Sequence, residues 1–166
     1  MILLLLACPP KPPEVVVVEP PVETVEEEAA GVIASGRFSD GQHEFEIAIP
    51  EGWQAQVWPD SGPLRVSLDH AETGARVEAW VFEHRISEPA PRGSCTWSFI
   101  DAGTYREVLR PRLVASCTPS DPTQARISAY IVDQGATTWQ LELHVPVEKL
   151  SAGRKAGEAV LQTITL

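Results

Sequence analysis

The residues best equipped for chemistry stand at Asp69-His70-Ala71-Glu72. On a continuous strand His70 and Glu72 share a face, and a short step brings in His84, a nitrogen-and-oxygen donor set of the kind divalent cations accept. The same segment borders a predicted hairpin turn, where exposed polar residues are the ordinary finding, and no metal is assigned to it. His43, beside Asp40-Gly41 and Glu44, reads as a turn residue, and His144, beside Pro146, as structural or exposed. There is no Gly-x-Ser-x-Gly elbow, phosphate loop, His-Glu-x-x-His or dinucleotide fingerprint, so no catalytic residue or cofactor is expected and the chain is not read as an enzyme. Five tryptophans are many for a chain of 166 residues. Trp53, Trp80 and Trp139 fit a core, since Trp is usually well buried. Trp58, beside Pro59-Asp60, and Trp97, near Cys95, are the expected exposed pair through which the domain would bind a partner.

The amino terminus carries an address rather than a reaction. The apolar run from Ile2 ends in Leu5-Leu6-Ala7-Cys8, which resembles the lipobox of bacterial lipoproteins. The resemblance implies cleavage before Cys8 and acylation of Cys8, so that the chain hangs on a membrane. The run carries no Lys or Arg and is far shorter than the roughly 20 apolar residues of a membrane span. Either an in-frame start upstream supplies the missing residues, or Cys8 is an ordinary thiol. Pro9, where Asp often marks inner-membrane retention in enteric bacteria, leans the expectation towards the outer membrane or the periplasmic face.

Residues 9–31 read as a tether. Prolines at 9, 10, 12, 13, 20 and 21 fix φ and remove donors, which favours an extended chain over helix or sheet. Six glutamates against Lys11 carry half of the net charge of −10. The exception is Val15 to Val18, a β-prone run that could instead dock on a partner. The remaining residues, 32–166, suit a single globular domain. Its twelve Lys and Arg are spread along the chain, without the basic cluster that nucleic acid would require. In an exported domain, Cys95 and Cys117 imply a disulfide more often than two free thiols. Such a staple would add roughly 3 kcal/mol by loop-closure entropy.

Period-2 alternation defines the strands. Phe45, Ile47 and Ile49 form one that stops at Pro50-Glu51-Gly52, and Trp53, Ala55 and Val57 resume the pattern. Leu64, Val66 and Leu68 are followed after Thr73-Gly74 by Val77, Ala79 and Val81. A two-residue turn there places Leu68 opposite Ala79 and Val66 opposite Val81. In a second hairpin, a three-residue loop Gln134-Gly135-Ala136 with a left-handed residue pairs Ile131 with Trp139 and Ala129 with Leu141, keeping apolar faces together. Trp80, Phe82, Tyr130 and Val132 then fall on the opposite face, so the sheet is covered at least partly on both sides. Thr96–Ile100 and Leu113–Ser116 are further strands, with a turn at Asp101-Ala102-Gly103. A helix from an N-cap at Ser151 to about Gln162 contains Gly153 and Gly157 and must be held by packing. Thr163 to Leu166 is a β-prone tail able to join a sheet edge.

The string Phe45-Glu46-Ile47-Ala48-Ile49-Pro50-Glu51-Gly52-Trp53 resembles the opening of PsbP-like domains, and the ending is similar too: a long hairpin, a helix after Pro146 and a β-prone tail. The resemblance implies an α+β fold, an α/β/α sandwich around an antiparallel sheet with the C-terminal helix packed on it. It also implies a lipoprotein context, since many such domains occur as bacterial lipoproteins. The alternative fold is a mainly-β sandwich or barrel. The expected function is a membrane-anchored cell-envelope lipoprotein, a non-catalytic binding or assembly-accessory module with an envelope protein or cell-wall partner. A structural or stress-related lipoprotein, and an enzyme with an unrecognised site, are the alternatives.

Overall fold

Alternation produces the strands, and where it lapses the chain turns. The computed structural model describes residues 31–58, 62–92, 96–100, 109–119 and 124–166. Among them are ten strands: β1 (Gly31–Ile33), β2 (Gly36–Asp40), β3 (Phe45–Ile49), β4 (Trp53–Val57), β5 (Leu64–His70), β6 (Arg76–Phe82), β7 (Thr96–Ile100), β8 (Leu113–Thr118), β9 (Arg126–Gln134) and β10 (Thr137–Val145). The 3-10 turn Val147–Lys149 leads into the helix α1 (Leu150–Leu161). Eight strands form one antiparallel sheet in the order β1-β4-β5-β6-β10-β9-β8-β7, and β2 pairs with β3 in a separate hairpin. With β1 and β7 at its two edges the sheet is open, which excludes the closed barrel. The fold is the expected antiparallel sheet with a C-terminal helix packed on it.

One face of the large sheet holds the main apolar core. Inward residues of β4, β5, β6, β9 and β10 meet Phe38, Phe45, Ile47 and Ile49 of the hairpin and Val160 and Leu161 of α1. The Phe45 ring stacks on Trp139, with centroids 4.3 Å apart. The two helix glycines face this sheet and are buried, Gly153 against Val145 and Gly157 against Leu143. The tail closes the layer. Thr165 exchanges two 3.0 Å backbone hydrogen bonds with Glu46 on β3, and Ala48 N–H donates to Thr163 Oγ1. The helix begins one residue before the expected cap, at Leu150. Its N-cap is Lys149 and has no side-chain cap, because the 3-10 turn delivers the chain already coiled.

Two registers differ from those expected. In the β5–β6 hairpin Leu68 lies opposite Val77 and Val66 opposite Ala79, with a bulge between Leu64 and Val66. The turn is longer than two residues: His70 N–H donates to Ala75 O, and Gly74, at φ +66°, donates to His70 O. The slip is of two residues, so the apolar faces still coincide. The β9–β10 difference has more effect. Gln134 pairs with Thr137 across a two-residue loop, Gly135-Ala136, with Gly135 left-handed as expected at φ +59°. Val132 therefore faces Trp139 and Tyr130 faces Leu141, while Ile131 pairs with Gln140 and Ala129 with Glu142. A one-residue shift exchanges faces. The expected register assumed that buried residues on β10 would be apolar, and they are not.

Residues Cys8, 9–30, Cys95 and the turn at 101–103 lie outside those described; β1 starts at Gly31, the last residue assigned to the tether.

Candidate functional site

The second face of the sheet is where the chemistry collects. Strands β6 and β10 are neighbours, and their register sets Glu142 directly across from Glu78 and His144 across from Arg76. Two carboxylates facing each other across strands repel unless cations are placed between them. Two cations are. The His144 Nε2–H donates to Glu142 Oε2 at 2.9 Å and lies 3.6 Å from Glu78 Oε2. The Arg92 Nε–H, arriving from the irregular segment after β6, lies 3.1 Å from both oxygens of Glu142. Its Nη2 is 3.0 Å from Oε1 yet is enclosed and out of line for a hydrogen bond. The guanidinium also stands 4.6 Å over the Trp80 ring, a cation–π contact, and Trp80 Nε1–H donates to Glu78. Gln140 Nε2–H donates to Glu142 Oε1. Glu142 and Gln140 are completely buried.

Burial alone would push the His144 imidazole towards its neutral form, but the hydrogen bonds and negative charges of Glu142 and Glu78 outweigh it and raise its pKa to about 9. Burial likewise disfavours the charged form of Glu78, and the His144 hydrogen bond and charge overcome this, holding its carboxyl below the ordinary value. The cluster thus sets Arg92 and the protonated His144 among Glu78 and Glu142, with Arg76 Nη1 a further 3.8 Å from Glu78 Oε1, a self-neutralised network in a largely enclosed place.

A folded-state pKa of about 9 against about 6.5 unfolded makes the stability His144 contributes complete below about pH 6.5 and lost as pH rises through 9. The melting temperature is accordingly expected to fall between pH 7 and 10, and His144→Gln to flatten that fall. A wild-type profile with no decline through pH 9 would remove His144 from the role.

The network fastens a strap. The segment at 86–92 crosses this face without regular pairing, so side chains must satisfy its backbone. Ala90 N–H donates to Gln140 Oε1, Ala90 O accepts from Trp97 Nε1, and Ile86 O accepts from Arg112 Nη2. Glu78, Glu142 and His144 also present one ligand atom each within 4.8 Å of one another, a set that suits a divalent cation. That position is already served: Arg92 and the protonated His144 occupy the lone pairs a metal would need.

A second polar cluster anchors the β2–β3 hairpin. The two ring nitrogens of buried His43 lie 2.9 Å from Asp40 Oδ2 and Glu83 Oε1, and Arg65 Nε–H donates to Asp40 at 2.8 Å. Burial opposes the Asp40 charge, but the hydrogen bonds of His43 and Arg65 hold its carboxyl below the usual value. His43 also meets Trp139 edge-on at 5.9 Å. His43 lies in the turn between β2 and β3, as expected, but it is buried there and ties the hairpin to the large sheet.

The residues singled out by sequence do not come together. His70 ends β5 with Nδ1 2.9 Å from Thr73 Oγ1 and its ring 5.0 Å from Trp53. Asp69 pairs with Arg76, Glu72 is exposed in the turn, and His84 lies beyond β6 at the opposite end of the strand pair. Trp53 and Trp139 are core, while Trp80 is only half-buried, over the polar network. Trp58 and Trp97 are half-buried too, and the Trp97 indole is spent on Ala90. Cys117 is buried on β8 opposite Trp97. The network of Glu78, Arg92, Gln140, Glu142 and His144 escaped the sequence reading. Its available signal was Gln140-x-Glu142-x-His144, three polar residues on one face of a strand whose other face is apolar from Trp139 to Val145.

The chain thus forms an open antiparallel sheet with a small hairpin and the C-terminal helix over one face and a strap over the other, and its fold is PsbP-like. The solution structure of cyanobacterial PsbP (CyanoP) from Synechocystis sp. PCC 6803 is similar to this chain, with a TM-score of 0.53 and 13% identity over 81% of this chain and 94% of that one. No protein-family model matches the sequence, and no curated protein matches it.

Proposed function

We propose that this chain is a lipid-anchored accessory module of a bacterial cell envelope, held by acylated Cys8 and acting through binding rather than catalysis. The observation that supports this most is how the reactive side chains are spent. Glu78, Glu142, His144 and Arg92 neutralise one another, and His43 is clasped between Asp40 and Glu83. A general base or nucleophile needs a free lone pair facing a substrate, and these groups face each other. The PsbP-like fold agrees with such a module, and Trp58 and Trp97, partly accessible, are proposed contacts for an envelope protein or cell-wall partner. The Cys95–Cys117 disulfide belongs to the same reading, because it requires export to an oxidising compartment.

Intact mass spectrometry of the protein from its native membrane fraction, with and without reductant, tests the reading. The expected mass corresponds to cleavage before Cys8 plus acyl chains, and it rises by two protons on reduction. An uncleaved, unlipidated chain with free thiols in the soluble fraction would end both the anchor and the envelope assignment.

A further inference from the structure

Among the described residues most of the Lys and Arg side chains are used. Six arginines face a carboxylate, and Lys149 donates to the Glu72 carbonyl. Arg110, Arg126, Arg154 and Lys155 have no such partner, and three of these four line one place: an open groove of about 650 Å³ between the outer side of α1 and the start of β9. Arg154 and Lys155 project from the exposed face of the helix and Arg126 from the first residue of β9. Leu150 and Ala159 put apolar surface between the charges, and Glu158 is the one carboxylate on the lining. Keeping three cations together unpaired, in a chain of net charge −10, costs mutual repulsion that a bound anion would relieve.

We propose that this groove binds the phosphates of anionic phospholipid headgroups, so that the domain meets a membrane through α1. The groove is too open and too roomy to close around a single phosphate, whereas a bilayer presents many in one plane, with apolar surface just beneath for Leu150 and Ala159. The chain's own acidic tether is the poorer occupant. It enters at Gly31 on the edge strand β1, paired with Val57, whereas Arg126, on β9 five strands away, pairs with Val145. At about 0.1 M salt the Debye length is about 10 Å, so the groove acts on headgroups largely unopposed by the acidic charge elsewhere.

The test uses the full chain with Cys8→Ser, so that attachment does not depend on acylation and failure of the groove is distinguishable from failure of the anchor. Co-sedimentation is measured with vesicles of phosphatidylcholine alone and with added phosphatidylglycerol, at about 0.1 M salt. Binding is expected only to the anionic vesicles, and to fall roughly fivefold for each of Arg126→Gln, Arg154→Gln and Lys155→Gln. Glu158→Gln is expected to strengthen it. All four side chains are at the surface, and unchanged circular dichroism melting verifies the fold. Equal binding to both vesicles would overturn the proposal, as would an equal loss on substituting the paired surface cations Arg37, Arg76 and Arg85 by Gln. Binding that is competed away by millimolar inorganic phosphate would assign the groove to a free anion. Binding that emerges only after the tether glutamates are changed to Gln would assign it to the tether.

Discussion

Glu142→Ala is expected to lower the unfolding free energy by about 3–5 kcal/mol, the range for removing one partner of a buried ion pair. The carboxylate is completely enclosed, and both Arg92 and His144 hydrogen-bond to it. Its loss leaves Arg92 and the protonated His144 near each other with Glu78 alone to balance them, and strands the Gln140 amide. Glu142→Gln keeps the volume and one acceptor oxygen and is expected to lose less, because the cost lies in unpaired charge and not in space. His144 sheds its proton more readily once Glu142 is gone, so the variant should show a weaker decline in stability through pH 9 than the wild type. Urea unfolding followed by tryptophan fluorescence at pH 7 and pH 10 measures both effects. An unfolding free energy within about 0.5 kcal/mol of wild type at pH 7 would show that Glu142 does not hold the network together.

The same residues explain where reading the sequence worked and where it failed. β3, β4 and β5 were legible because each alternates core residues with mostly polar ones, β6 because Val77, Ala79 and Val81 recur at period two, and β7 and β8 because short β-prone runs lie between turn residues. The tail strand and α1 were legible from the change of period after Pro146. β9 and β10 were recognised as strands, but their register was not. Alternation assigns polar residues to solvent, and Gln140 and Glu142 are polar and fully buried. Ala90 and Arg92, each fifty residues away from the side chain it meets, make the burial of Gln140 and Glu142 tolerable together with His144, and no local pattern carries the strap's part in it. β1 and β2 were missed for a simpler reason: three residues, and a strand beginning Gly36-Arg37, show too little alternation to register. His144 was read as structural or exposed; it is structural, because strand parity sets it beside Glu142. The histidines that looked promising, His70 and His84, lie at opposite ends of the β5–β6 hairpin, separated by the length of β6.

Gly157→Ala is expected to destabilise the domain by about 1–3 kcal/mol, the reverse of what helix propensity alone dictates. In an exposed helix the change would gain about 1 kcal/mol. Here the added Cβ would lie 2.1 Å from Leu143 Cδ1 and about as close as contact permits to its Cδ2 and Cγ, at 3.0 and 3.1 Å. Leu143 is buried in the sheet layer and cannot swing clear without displacing its neighbours. α1 would have to lift from β10, and with it the tail that binds β3. Gly153→Ala meets Val145 Cγ1 at 2.7 Å, a milder clash, and a smaller loss is expected. The double variant Gly157→Ala with Leu143→Ala isolates the contact: the space vacated at 143 accepts the new methyl, so the two losses should sum to more than the loss of the pair. Strict additivity in that cycle, or a stabilised Gly157→Ala protein, would mean that the glycine is a tolerated weakness of the helix and that its closeness to the sheet is not what holds α1 in place.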